Sequence, residues 1–169
     1  MSGVRIELTG ADAAIAKLGQ AEAALENPLG MYERIGDAMV ESTRQRFDEG
    51  VEPDGSPWPI SLRAQFEGGK TLIDSAALQR SITHIASSDQ VEVGTNMEYA
   101  ATHQFGATIT PKSADALRFN IPGIGFITSQ SVTIPARPFI GLSDEDEAEI
   151  EHIADDFLTQ ALGEIGRAD

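Results

Sequence analysis

The stretch from Asn27 to Gly50, "NPLGMYERIGDAMVESTRQRFDEG", carries the periodicity on which the fold class turns. Leu29, Tyr32, Ile35, Met39, Val40, Thr43 and Phe47 recur at helical spacing and line one side of an amphipathic helix. Glu33, Arg34, Glu41, Arg44 and Asp48 take the remaining face. Asn27 supplies an N-cap, and Pro28 suits the first helical position, where its missing N–H is not needed. Gly50 can adopt the left-handed conformation that stops a helix. Burying one large apolar side chain contributes about 1.5–3 kcal/mol, so this face can hold the helix against a sheet.

Upstream, "VRIELT" alternates Val4, Ile6 and Leu8 with polar neighbours, the pattern of a half-buried strand. Thr9 to Asp12 forms a capping-box pattern, which predicts a helix bearing Ala14, Ile15, Leu18, Ala21 and Leu25 on one face. Downstream, "GVEPDGSPWPI" is a proline-rich loop with a turn at Asp54-Gly55 and Trp58 between Pro57 and Pro59. "SLRAQFEGGK" predicts a single helical turn. "TLIDSAALQRSI" predicts an extended piece and then a helix capped by Asp74 or Ser75. "ITHIASSDQVEVGT" predicts two strands joined near Ser88-Asp89. "ATIT", "ALRFNI" and "QSVTIP" are β-like, and the last two are expected to pair as a long hairpin. Ser143 and Asp146 make a second capping box, with Asp144, Glu145 and Asp146 at the positive end of the helix dipole. Ile150, Ile153, Ala154, Phe157, Leu158, Ala161 and Leu162 give the final helix an apolar stripe. The expectation is one α+β domain over residues 1–169, a mostly antiparallel sheet packed by long N-terminal and C-terminal helices.

Composition bounds the function. Hydrophobic residues make up 41% of the 169, which argues against global disorder. There is no cysteine, so thiolate chemistry and disulfides are excluded, in keeping with a reducing compartment. No apolar run approaches the ~18 residues of a membrane span, and the first ten residues lack a secretory apolar region; synthesis in a cytoplasm is expected. Twelve basic residues face 27 acidic ones, a formal net charge of −15, so the chain as a whole gains no affinity for duplex DNA. An acidic surface of this kind is a solubilised exterior, a mimic of nucleic acid, or a wall past which DNA slides.

The chemical motifs are weak. "GGKT", Gly68 to Thr71, lacks the earlier glycine of a phosphate loop, because position 64 is alanine. Gly123-Ile-Gly125 fits hairpin chemistry better than phosphate binding. His84, His103 and His152 do not stand at zinc-ligand spacing, and no nucleophile elbow is present. The acids from Asp144 to Glu151 follow a helical pattern instead of a calcium loop. No catalytic, cofactor-binding or metal-binding residue is therefore assigned. Trp58, Phe105 and Phe139 stand beside proline or glycine turns, where core packing competes with an interface role. Arg137, between Ala136 and Pro138, is hard to bury unpaired and is a candidate for an ion pair within the chain or between chains.

Four stretches occur in one order: "DGSPWPI", "LIDSAALQRSI", "VEVGTNMEYAATHQFG" and "TIPARPFIGLSDED". Together, over about Met39 to Leu162, they resemble the phage virion morphogenesis family, the tail-completion or neck proteins of Mu-like and related tailed phages. "YAATHQFG" and "IPARPFIG" are the most telling pieces. Ser75-Ala76 departs from the family, whose members tend to carry a Thr/Ser-Gly pair there. The resemblance implies a structural protein, not an enzyme, without cofactors. It implies a ring, commonly a hexamer, around the DNA channel at the neck of the virion, touching the head–tail connector and tail-tube proteins. Assembly in the host cytoplasm without a membrane is expected. Trp58, Tyr99, His103, Phe105, Arg137 and Phe139 are the candidate assembly residues. Tyr99 and His103 fall four apart if Glu98 to Gln104 is a short helix, and His103 is expected to bond a backbone or carboxylate group. A lumen lined with acids would repel DNA over about 8 Å at physiological salt. Two rival readings are an acidic DNA-mimic inhibitor and a hydrolase using His103 with an acid such as Glu98.

Overall fold

The computed structural model describes Gly19, residues 27–121 and residues 123–163. The strand and the first helix expected before Asn27 lie outside these residues, except that Gly19 is helical. In chain order the elements are helix α1 (Leu29–Glu49), α2 (Leu62–Glu67), α3 (Ala77–Arg80), strands β1 (Thr83–Ala86) and β2 (Val91–Gly94), then α4 (Ala100–Phe105). They continue with β3 (Ala107–Ile109), β4 (Leu117–Ile121), β5 (Gly125–Ser129), β6 (Val132–Ile134) and α5 (Asp144–Gly163). The class is α+β, as expected, and all pairing among the described strands is antiparallel. The strands form three two-stranded ribbons, β1-β2, β3-β6 and β4-β5. Among the described residues, no helix is long and apolar enough to cross a membrane.

Helix α1 is the hub. It packs against β1, β2 and α5, so its apolar stripe meets both a ribbon and a helix. Val40 and Phe47 join Trp58, Leu78, Ile82, Ala100 and Phe139 in the larger core. Ile35 and Met39 meet Ile153 of α5 in a smaller one. Gly36 lets His84 of β1 lie directly on the helix, where a Cβ would overlap the imidazole. His84, which does not stand at zinc-ligand spacing in the sequence, is thus a packing residue, with Nδ1 3.7 Å from Asp37.

Helix ends follow the sequence with two corrections. Gly50 stops α1 at φ 75°, as expected. Pro28, and not Asn27, takes the cap position, with no side-chain cap bond. The Pro28 carbonyl already accepts from Met31 N and Tyr32 N at 3.0 and 3.1 Å, so the turn starts on the proline itself. Neither Asp74 nor Ser75 caps α3; its cap is Ala76, in the left-handed conformation at φ 58°. At α5 the capping box is complete. Asp146 N donates to Ser143 Oγ at 3.2 Å, and Ser143 N donates to Asp146 Oδ2 at 2.9 Å.

The expected pairing of "ALRFNI" with "QSVTIP" does not occur. β4 pairs with the intervening "GFITS" of β5, in the register Phe119↔Ile127, and β6 returns to β3. Gly123 and Gly125, at φ 76° and 100°, make a tight turn that closes a short loop. Short closure costs less entropy than a connection that skips a strand.

Candidate functional site

The stretches that stand apart in sequence are drawn together in space. Trp58 is buried, T-shaped against Phe47 at 5.4 Å, and its indole N–H donates to Pro138 O at 2.8 Å. Phe139 is buried on the other side of Phe47, with ring centroids 5.1 Å apart. Arg137 ties the two loops a second time, its Nε–H donating to Pro59 O at 2.7 Å.

"YAATHQFG" and "IPARPFIG" are bonded to each other along their length. Arg137 N donates to His103 O at 2.7 Å. Gln104 Oε1 accepts from Phe139 N and Ile140 N at 3.0 and 3.1 Å, while its Nε2 donates to Ile140 O at 2.8 Å. Gly106, at φ 72°, brings the chain so close that a Cβ there would stand 2.8 Å from Ala136 N. The opening of β3 against β6 follows from that approach. A side-chain amide serves here because the backbone of a proline-broken segment cannot complete a ladder.

Beneath this junction Arg46 reaches out of α1. It donates to Phe139 O and Gly141 O at 3.2 and 2.8 Å and pairs with buried Asp146. Burial alone would raise the Asp146 pKa. Hydrogen bonds from Ser42 and Ser143, with the Arg46 charge, outweigh that and hold it below the usual carboxylate range. Sequence reasoning missed Arg46 and Gln104. Arg46 sits beside Phe47 at the edge of the apolar stripe, a position that signals burial only if the acid 100 residues later is known to face it.

The candidate assembly residues divide. Trp58, Arg137 and Phe139 are interior and shape the junction from within. Tyr99 and Phe105 are exposed, at 45% and 78%, on the rim and end of α4. The Tyr99 ring stands edge-on to His103 at 5.9 Å, the helical neighbourhood expected of them. His103 differs from expectation: its Nδ1 is buried without a hydrogen-bond partner among the described residues. Burial lowers its pKa, and the charge of Arg137 lowers it further, so the ring is neutral near pH 7. The orienting acid that a hydrolytic histidine needs is not assembled among the described residues. Nor do any three metal-ligating side chains gather there.

His103, Tyr99 and Arg137 open onto a hollow of about 320 Å³, whose far wall is the turn from Leu72 to Leu78 and whose edge carries Ser61 and Arg63. Arg63 braces this wall, donating to Lys70 O and Ile73 O at 2.7 and 2.6 Å. Leu72 and Ala76 both have positive φ, 61° and 58°. Left-handed backbone costs an ordinary side chain roughly 1–2 kcal/mol. Ala76 stands where the resemblance implies glycine, and the turn forms with alanine.

The junction of loops has aromatic anchors inside, Trp58 and Phe139, and apolar side chains outside, Tyr99 and Phe105. The profile of the phage virion morphogenesis family matches residues 6–159. The chain belongs to that family, and the match reaches upstream of Met39, where the resemblance read from the sequence begins. It is 31% identical over 155 residues to the Mu-like prophage FluMu G protein 2 of Haemophilus influenzae, covering 91% of this chain and 96% of that protein. It is also 31% identical over 124 residues to a protein of Escherichia phage Mu provisionally named capsid assembly protein G, covering 67% of this chain and 68% of the other. No solved structure matches.

Proposed function

We infer that the protein completes the tail, or joins it to the head, as a ring around the DNA channel at the neck of the virion. The observation that carries this reading is the set of large apolar side chains left uncovered on a strongly acidic chain. Phe105 is 78% exposed and Phe126, on the β4-β5 hairpin, is 89% exposed. Leu62, Phe66, Tyr99 and Ile124 are each about half exposed. Phe66 lies against Gly123 at the turn of that hairpin, so α2 and the hairpin tip form one apolar edge. Such an edge is a liability in a free monomer and an asset in an assembly. The ring leaves its acids to the lumen and outer wall, where they keep DNA from adhering. The protein acts by fit and not by turnover, with the connector above and the tail tube below.

A phage lacking the protein tests this. Full heads separate from tails are expected, the tails unfinished if the protein completes them and finished if it only joins them, with joining restored in extracts by added protein. Defective capsids with normal tails would move the role to head assembly, as the name of the phage Mu relative has it. A normal infectious yield would end the reading.

A further inference from the structure

Arg137 is 5% exposed, and among the described residues its guanidinium bonds only Pro59 O, through Nε. Its two terminal nitrogens have no described partner, and the side chain lines the hollow beside His103. A buried guanidinium is normally paired, because removing it from water costs several kcal/mol. This chain pairs its other deeply buried arginine, Arg46, with Asp146. The acid nearest in the hollow's wall, Asp74, turns outward, with 83% of its side chain exposed, and stands 4.0 Å from Arg63. His103 Nδ1, on the same wall, is a buried polar atom without a partner among the described residues. The two positive-φ residues, Leu72 and Ala76, also line the hollow. Backbone strain of this kind persists where the surroundings require it.

The missing half is present elsewhere on the chain. Glu147, Glu151 and Asp155 stand at four-residue intervals along α5, exposed, with no ion pair among the described residues. Like charges so spaced repel one another. We propose that the hollow is a socket for a carboxylate from this stripe of α5 on a second copy of the chain. The assignment rests on the ring reading above. Socket and stripe are different patches of one molecule, so the contact is head-to-tail, the kind that closes into a ring. Tyr99 and Leu72 in the lining exclude water, and the ion pair sets register more than affinity. Duplex DNA is a poor occupant, given the net charge of −15.

The test places the photo-cross-linker p-benzoylphenylalanine at exposed Ser75, on the rim, in the full chain. Both assembled particles and concentrated purified protein are irradiated. The expected adduct joins Ser75 to an α5 peptide of a second copy. Adducts only to another virion protein, or none in either sample, overturn the proposal. In parallel, Ser75→Glu supplies a carboxylate in cis, and Arg137→Gln removes the cation. Each is expected to cut the copies per particle at least tenfold, as is the triple Glu147→Lys, Glu151→Lys, Asp155→Lys variant. Arg137→Lys should recover part of the loss. Wild-type incorporation of folded Ser75→Glu protein overturns the socket and leaves the neck role standing. If phage without the chain assemble normally, the neck role fails, and the adduct in purified protein alone decides the socket.

Discussion

Ala76 shows how a single residue can be read from the backbone it must adopt. At φ 58° it has the conformation glycine takes freely. Ala76→Gly relieves the left-handed cost but loosens the unfolded chain by about 0.4–1 kcal/mol, so a change between zero and about 1.6 kcal/mol of added stability is expected. Ala76→Val, β-branched, should lose more than 1 kcal/mol. Urea unfolding of the two variants checks both signs. His103 gives a pH prediction. Its folded pKa is lowered, so between that value and about 6.5 the unfolded chain takes up a proton the folded chain refuses. Stability therefore falls as pH drops through about 6.5, and His103→Gln should flatten that part of the profile. The depressed Asp146 acts in a separate window: its stabilisation is present above the ordinary carboxylate pKa and is lost as pH falls through the folded value. An unfolding midpoint in His103→Gln that follows the wild-type curve from pH 7.5 to 5.5 would contradict the assignment.

Among the elements, α1 was legible because its apolar stripe and stop glycine are local properties, and α5 because Ser143 and Asp146 announce its start. Ser143→Ala should cost about 1 kcal/mol, the value of a helix cap, measured by thermal unfolding. Helix propensity alone would make Gly36→Ala stabilising by about 1 kcal/mol. The His84 ring occupies the place of the new methyl group, so a net loss of about 1–3 kcal/mol is expected instead. A stabilised Gly36→Ala protein would mean that β1 does not lie on α1 as described. The strand partners were less legible. "ALRFNI" and "QSVTIP" have the alternation of strands, but alternation does not name a partner. The competing "GFITS" lay closer in sequence, behind a glycine turn, and took the pairing.

For the whole molecule, the functional prediction concerns anchors that never reach the surface. Phe139→Ala is expected to remove about 3–5 kcal/mol and with it the geometry that "YAATHQFG" and "IPARPFIG" share. Phe105→Ala, at a position 78% exposed, should leave stability nearly unchanged and lower the yield of joined particles. Electron microscopy of particles, set beside unfolding curves, separates the two effects. The sequence by itself determined the α+β class, the ends of α1 and α5 within a residue, and the family, because these depend on local periodicity and on the order of short motifs. Which aromatic turned inward, which arginine found its acid and which was left facing a hollow were decided only by tertiary structure. Trp58 and Phe105 each stand beside a proline or glycine turn, yet one meets Phe47 and the other meets solvent. Burial and pairing are properties of what arrives from elsewhere in the chain, and that arrival is set by packing, not by the residue's own surroundings.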